Sequence, residues 1–342
     1  MDKNIHDYAV VVGVSHYDGL TMLNGPAKDA EEFKNWLIDT KGGNIPEENC
    51  HLVLSTESPL LPIQDHIDQL FKKIFMILKY DDFGGRRLYF YFSGHGLGIE
   101  WRDTALVLPP WSDMMRNYAL SSSEYLKAII ESGYFKEVFF FLDCCRNRMI
   151  GVRGANPLFG SVKPGEGTPK CVSYGFSATE FDNKAFEAVI QPGNGSLLDN
   201  DRTRGLFTVA LINGLKGAAA INGRITTRTL MDYLHLHLPL MALEHKKTQI
   251  PRFHIDSDII ETTILEGLPT QSIELNIQFR EKARKVILED SNLNTIKNDS
   301  TDTGPWKIAV KKGLYAIRYA EDELSTTSIR IDGTLNEVHY EY

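Results

Sequence analysis

Two apolar runs in this chain stop at reactive side chains. "YFYFSGHGLG" (Tyr89–Gly98) carries His95, and "FFFLDCCRNR" (Phe139–Arg148) carries Cys144 and Cys145. A free cysteine thiol, with a pKa of about 8.5, is mostly protonated near neutral pH. A histidine held beside it can accept that proton and create a nucleophile for acyl transfer. The pair must be close in space, not in sequence, and fifty residues separate His95 from Cys145. Neighbouring parallel strands that end at one edge would bring them together. Gly94 and Gly96 flank the histidine. They let a substrate approach the backbone, and the Gly96 amide can face a developing oxyanion.

The elements that must position these groups follow from periodicity. "DYAVVVGV" (7–14), "HLVL" (51–54), "RRLYFYFSG" (86–94), "EVFFFLDCC" (137–145) and "CVSYGFSA" (171–178) are short apolar runs of the kind that form buried strands. Between them, "AKDAEEFKNWLIDT" (27–40) spaces Ala30, Phe33, Trp36 and Leu37 as a helix does, and "IQDHIDQLFKKIFMILKY" (63–80) is a long amphipathic helix. Residues 122–133 have capping serines and a glycine stop. Two further helices are expected in 205–219 and 226–239. Alternating strands and helices predict an α/β fold with a mostly parallel sheet, and reactive groups belong at the carboxyl ends of its strands. Past residue 262 the pattern becomes strand after strand with no helix between. The expected organisation is therefore a domain over 1–262 and a small antiparallel β-domain over 263–342. Within 190–205, "IQPGNGSLLDNDRTRG" has no periodicity and reads as a loop.

Composition narrows the classes of function. The chain has 342 residues and a net charge of −8. That balance argues against nucleic acid or an anionic membrane as the main partner. No apolar stretch approaches the roughly 20 residues of a membrane span. Four cysteines, two of them adjacent, do not make a disulfide framework, so a reduced cytoplasmic protein is expected. His235 and His237 are two apart on an expected helix and point away from each other, so no metal site is expected there.

The segments "DYAVVVGVSHYDGL…LNGPAKDAEEF", "YFYFSGHG", "FFFLDCCRNR" and "GLFTVALINGLKGAAAINGRITTRTLMDYL", in that order, resemble the caspase-fold cysteine peptidases: caspases, paracaspases, metacaspases and their prokaryotic relatives. The resemblance covers roughly residues 5–260. In caspases the catalytic histidine lies about fifty residues before the cysteine. The resemblance implies His95 and Cys145 as the dyad, with Gly96 and Cys145 amides as the oxyanion site. Strand alternation agrees, because Asp143 and Cys145 share a side and Cys144 faces the other.

The same resemblance bears on what is cut. Relatives specific for aspartate carry an arginine where this chain has Leu23, and a glutamine where it has Asp143. Paracaspases place acids at positions matching Asp29, Asp143 and Glu187. Three carboxylates suit a guanidinium, so cleavage after Arg, then Lys, in protein or peptide substrates is expected. Arg202 and Arg204 then become candidate sites of self-processing. The resemblance also implies a regulated protease of prokaryotic defence or cell death. No cofactor is required by the dyad; calcium, which metacaspases often need, would have "YDDFGG" (80–85) as its candidate region. The β-domain is the candidate seat of an activating ligand or protein. An inactive caspase-fold scaffold acting through that domain is the alternative.

Overall fold

The structure, a computed structural model, describes residues 2–81, 83–149, 151–159, 170–189, 203–256, 261–268, 273–290, 293–311, 313–331 and 337–342. It divides into two compact units, one of residues 1–219 and 225–265, the other of 220–224 and 266–342.

The first unit is built on β1 (Asp7–Gly13), α1 (Pro26–Ile38), β2 (Cys50–Leu54), α2 (Gln64–Leu78) and β3 (Gly85–Ser93). A short three-stranded antiparallel sheet follows: β4 (Gly96–Glu100), β5 (Asp103–Val107) and β6 (Ala119–Ser121). Next come α3 (Ser122–Glu131), β7 (Phe135–Asp143), β8 (Val172–Ser177), β9 (Glu187–Val189), β10 (Thr203–Gly205) and α4 (Leu206–Asn213). The unit closes with β11 (Ile225–Thr226), α5 (Thr227–Glu244), β12 (Arg252–Asp256) and β13 (Thr263–Leu265).

The main sheet has the order β12-β8-β7-β3-β1-β2. Its pairings are parallel except β12 on β8. The sequence read this last strand as no element at all. β1, β3 and β7 are buried on both faces apart from two positions near the start of β7 and one near the start of β3. That is why they read as continuous apolar runs. One face packs Val10, Val12, Phe90, Phe92 and Phe140 against Ile67, Phe71 and Ile74 of α2. The other stacks Tyr91 on Phe33 of α1 at 4.5 Å, and Phe141 on Phe176 at 4.8 Å.

β3 and β7 pair so that Gly85 faces Phe135 and Ser93 faces Asp143. Every partner is fifty residues on. His95 and Cys145, each two residues beyond those ends, therefore leave the sheet side by side. The fifty-residue spacing in the sequence is the strand register itself.

The second unit consists of β14 (Ile273–Gln278), β15 (Lys285–Asp290), β16 (Thr295–Ser300), β17 (Trp306–Val310), β18 (Gly313–Tyr319), β19 (Asp322–Ile331) and β20 (Glu337–Glu341). They form sheets β17-β14-β20 and β16-β15-β18-β19. Alternate residues, Ile273, Leu275 and Ile277 with Val286 and Leu288, make their common core with Trp306. The pairings are antiparallel, as expected, except that β14 and β20 run parallel. Five strands lie between them in the chain, so no hairpin fixes their relative direction. The expected boundary also moves. Thr263–Leu265 pair with β11, and their carbonyls take hydrogen bonds from Arg87, so the first unit runs to residue 265.

Candidate active site

A cleft of about 160 Å³ lies where β3 and β7 end. His95, Cys145, Asp29, Asp143 and Glu187 all line it, and Leu23 closes one wall. The sequence named each of these residues, and the fold brings them together from three elements, α1, β7 and β9, and three connecting segments.

His95 is fixed at both ends. Its backbone amide donates to the Tyr17 hydroxyl at 2.7 Å, and its Nε2 lies 2.8 Å from the Thr21 carbonyl oxygen. A carbonyl only accepts, so Nε2 carries a hydrogen and, in the neutral ring, the free lone pair is on Nδ1. Burial lowers the His95 pKa, partly offset by the Thr21 bond. Burial raises the Cys145 thiol, partly offset by the Ala185 amide 3.4 Å from Sγ. Both shifts favour the neutral thiol–imidazole pair in the free protein.

Cys144 is 98% hidden behind this edge, its thiol raised well above the usual range by burial. A β-carbon added to Gly96 would meet the Cys145 carbonyl oxygen and lie 2.6 Å from the Cys144 sulfur. Gly96 is therefore required by close packing of β4 on the cysteine turn. The Cys145 amide donates no backbone hydrogen bond among the described residues.

The three carboxylates are held by groups that the sequence did not identify. Asp143 Oδ2 accepts from the Thr208 amide at 3.0 Å and its hydroxyl at 2.6 Å, and so caps α4. Asp29 Oδ2 accepts from the Gly205 amide at 2.9 Å. Glu187 accepts from the Asn24 and Gly25 amides at the start of α1. Helix N-termini stabilise negative charge, which lets acids crowd here. The crowding still shows. Burial, then Asp143, pushes Asp29 up to about 7, against the pull of Arg204. Burial pushes Asp143 up to about 6, with Glu187 adding to it and the Thr208 bonds opposing.

Arg204 requires a correction. The loop expected over 190–205 does not extend to its end, because Thr203–Gly205 form β10 against β9. The Arg204 guanidinium bonds Asp29 Oδ1 at 2.6 Å and Glu32 at 2.5 Å. It is an internal counter-ion rather than a displayed side chain. Arg202, the other candidate for processing, lies outside the described residues. A second supporting residue was also missed. Gln249 accepts from the Phe186 amide at 3.0 Å and donates to the Ala178 carbonyl at 3.1 Å, pinning the Ala185–Glu187 wall. No local pattern marks a glutamine between α5 and an unrecognised strand.

The candidate calcium region is partly visible. Asp81 accepts from the Phe83 amide and lies 3.5 Å from His6, while Asp82 is outside the described residues. Among the described residues no group of three or more His, Cys, Asp or Glu is placed to hold a metal. Among the described residues no helix is long and apolar enough to cross a membrane.

The largely parallel sheet carries a cysteine and a histidine at adjacent strand ends. Residues 6–257 match the family model of the caspase domain, peptidase family C14, and the chain belongs to that family. It is 33% identical over 232 residues to a probable protease of a Desulfuromonadales bacterium, covering 62% of this chain. The chain spans about a quarter (26%) of that relative's length. Among solved structures it is similar to protein GSU0716 of Geobacter sulfurreducens (14% identity, TM-score 0.45, 77% of this chain and 97% of the other). It is also similar to caspase-1 of Spodoptera frugiperda (13% identity, TM-score 0.44, 74% and 88%).

Proposed function

We propose that this protein is a cysteine endopeptidase that uses Cys145 and His95 and cuts after arginine, and more slowly after lysine. The observation that carries this reading is one cleft holding a thiol, an imidazole and three acids. An arginine side chain entering it meets Asp29, Asp143 and Glu187, whose charges favour a guanidinium and disfavour an acidic P1 residue. Leu23 offers no positive charge to an acid there.

The reaction follows from the tautomer. His95 Nδ1 takes the Cys145 proton as the thiolate attacks the scissile carbonyl carbon. The oxyanion is received by the Gly96 and Cys145 amides. His95 then returns the proton to the leaving amine, which departs and leaves a thioester on Cys145. Water, deprotonated by His95, attacks the thioester and releases the new carboxyl terminus and the thiol. Every step is carried by protein groups and water. Activity of this kind needs restraint, in keeping with the regulated defence or cell-death setting that the family resemblance implies. Self-cleavage after Arg202 belongs to this reading. Arg204 instead serves to hold Asp29.

Labelling with a peptidyl-arginine chloromethyl ketone tests the proposal. Peptide mapping by mass spectrometry is expected to find the adduct on Cys145, and none on Cys144 or in His95→Ala protein. Modification of Cys144 alone, or equal labelling by the aspartyl analogue, would contradict it.

A further inference from the structure

A second cavity, about 460 Å³, opens on the first unit between α3 and strands β7, β8 and β12. Its charge is unusual for a chain with a net charge of −8. Arg102, Lys127, Arg146 and Arg252 line it, against the single acid Glu131. Arg146 lies deepest, only 4% exposed. Its guanidinium donates to two neutral oxygens, Thr104 Oγ1 at 3.0 Å and the Trp101 carbonyl at 2.7 Å. Among the described residues none of these four cations forms an ion pair. A buried guanidinium without an ion-pair partner is costly. Burial disfavours its charged form and Arg252 adds to this, with Cys144 and Asp103 nearby opposing in part.

The rest of the wall is part polar (Thr104, Ser122, Ser123, Ser177 and His254) and part apolar. Leu126 and Ile130 of α3 face Phe140 and Leu142 of β7, and Phe253 of β12 adds a ring. Arg252 lies over the Trp101 ring at 5.4 Å, so one side of the entrance is a flat aromatic surface backed by a cation. A concave site of a few hundred Å³, mostly apolar with a few convergent polar groups, is the usual form of a small-molecule site.

We infer that this cavity binds a small organic anion, one phosphate or carboxylate group on a flat apolar body, with Arg146 and Arg252 taking the charge. The site is separate from the peptidase cleft but joined to it through the backbone. Arg146 follows Cys145 directly. Its amide donates to the Asn183 carbonyl and its carbonyl accepts from the Asp182 amide, both at 2.9 Å. A ligand that pulls on the Arg146 guanidinium thus bears on the position of Cys145, and coupling of this kind acts equally in both directions.

Calorimetric titration of the full chain with phenyl phosphate, benzoate and inorganic phosphate is the test. Phenyl phosphate or benzoate is expected to saturate at least about tenfold more tightly than inorganic phosphate, because only they fill the apolar wall. Which of the two binds tells phosphate from carboxylate. Arg252→Glu supplies Arg146 with an internal counter-charge, so it and Lys127→Glu are each expected to weaken binding about tenfold or more while circular dichroism stays unchanged. At saturation, iodoacetamide should alkylate Cys145 at a rate changed at least about threefold in the wild type and unchanged in Arg252→Glu. These readouts need no peptidase activity, so they stand or fall apart from the reaction proposed above. No saturable binding of any probe, or equal affinity in the wild type and both variants, would overturn the site. An unaltered alkylation rate at saturation would overturn its link to Cys145.

Discussion

Cys145 and Cys144 differ in one bond of chain and in nearly everything else. Both border the cleft, but Cys145 is half-buried with Ala185 groups on its sulfur, whereas Cys144 is fully buried and packed under Gly96. Cys145→Ala and His95→Ala should each lower kcat by at least about a thousandfold, because the pair acts as a unit. Cys144→Ala should keep most activity and lose about 1–2 kcal/mol of stability through a small cavity; rates and thermal melts check both. The acids yield a pH prediction. The folded Asp29 and Asp143 titrate above the ordinary carboxylate value near 3.9, so at mildly acidic pH they are protonated and neutral. On the proposed specificity, an arginine substrate binds their ionised form. KM should therefore rise as pH falls through about 7 to 6, with the two acids titrating as a coupled pair. Asp143→Ala should cost roughly 2–5 kcal/mol in kcat/KM for an arginine substrate, as when one partner of a buried pair is removed. A KM flat from pH 5.5 to 8 would show that these acids do not hold P1. Arg204, which the sequence offered as a cleavage point, was unreadable as a counter-ion because its partners Asp29 and Glu32 lie more than 170 residues away.

At the scale of elements, the sequence disclosed whatever rests on local period or on constant register. β1, β3 and β7 were readable because both faces are buried. The fifty-residue offset between β3 and β7 puts His95 and Cys145 at adjacent strand ends, and strand alternation placed Asp143 and Cys145 on one side. What escaped was fixed by distant partners. β12 is short, begins beside Pro251, and forms only because β8 offers an edge. The direction of β20 depends on β14, far back in the chain. α4 reads as an apolar helix, but its capping by Asp143 requires β7 to end beneath it. That cap is testable at Gly205. A β-carbon there would collide with the Asp143 carboxylate and come within 2.9 Å of Asp29 Oδ2. Gly205→Ala should cost about 1–3 kcal/mol of stability by overpacking. It should also raise KM for arginine substrates at least about tenfold, with iodoacetamide reaction at Cys145 little changed. Equal KM in the variant and the wild type would remove α4 from the specificity pocket.

For the whole molecule, two compact units pose the question of what the second does. It holds no cysteine, so it supplies no second thiol site. We propose that it governs the first. A chain ending at residue 265 keeps β13, which Arg87 and β11 bind, and should fold. Its rate on a small arginine peptide should differ from the full chain's; identical kinetics with loss of cleavage of a protein substrate would mean recruitment instead. Beneath both outcomes lies the chemistry itself. The most direct measurement compares initial rates on matched coumarin peptides ending in Arg, Lys and Asp, for full-length wild type and Cys145→Ala, in the presence and absence of candidate activators. The expected result is release from the Arg peptide, slower release from Lys, none from Asp, and none at all with Cys145→Ala. Efficient release after Asp with Arg ignored, or undiminished release by Cys145→Ala, would contradict it.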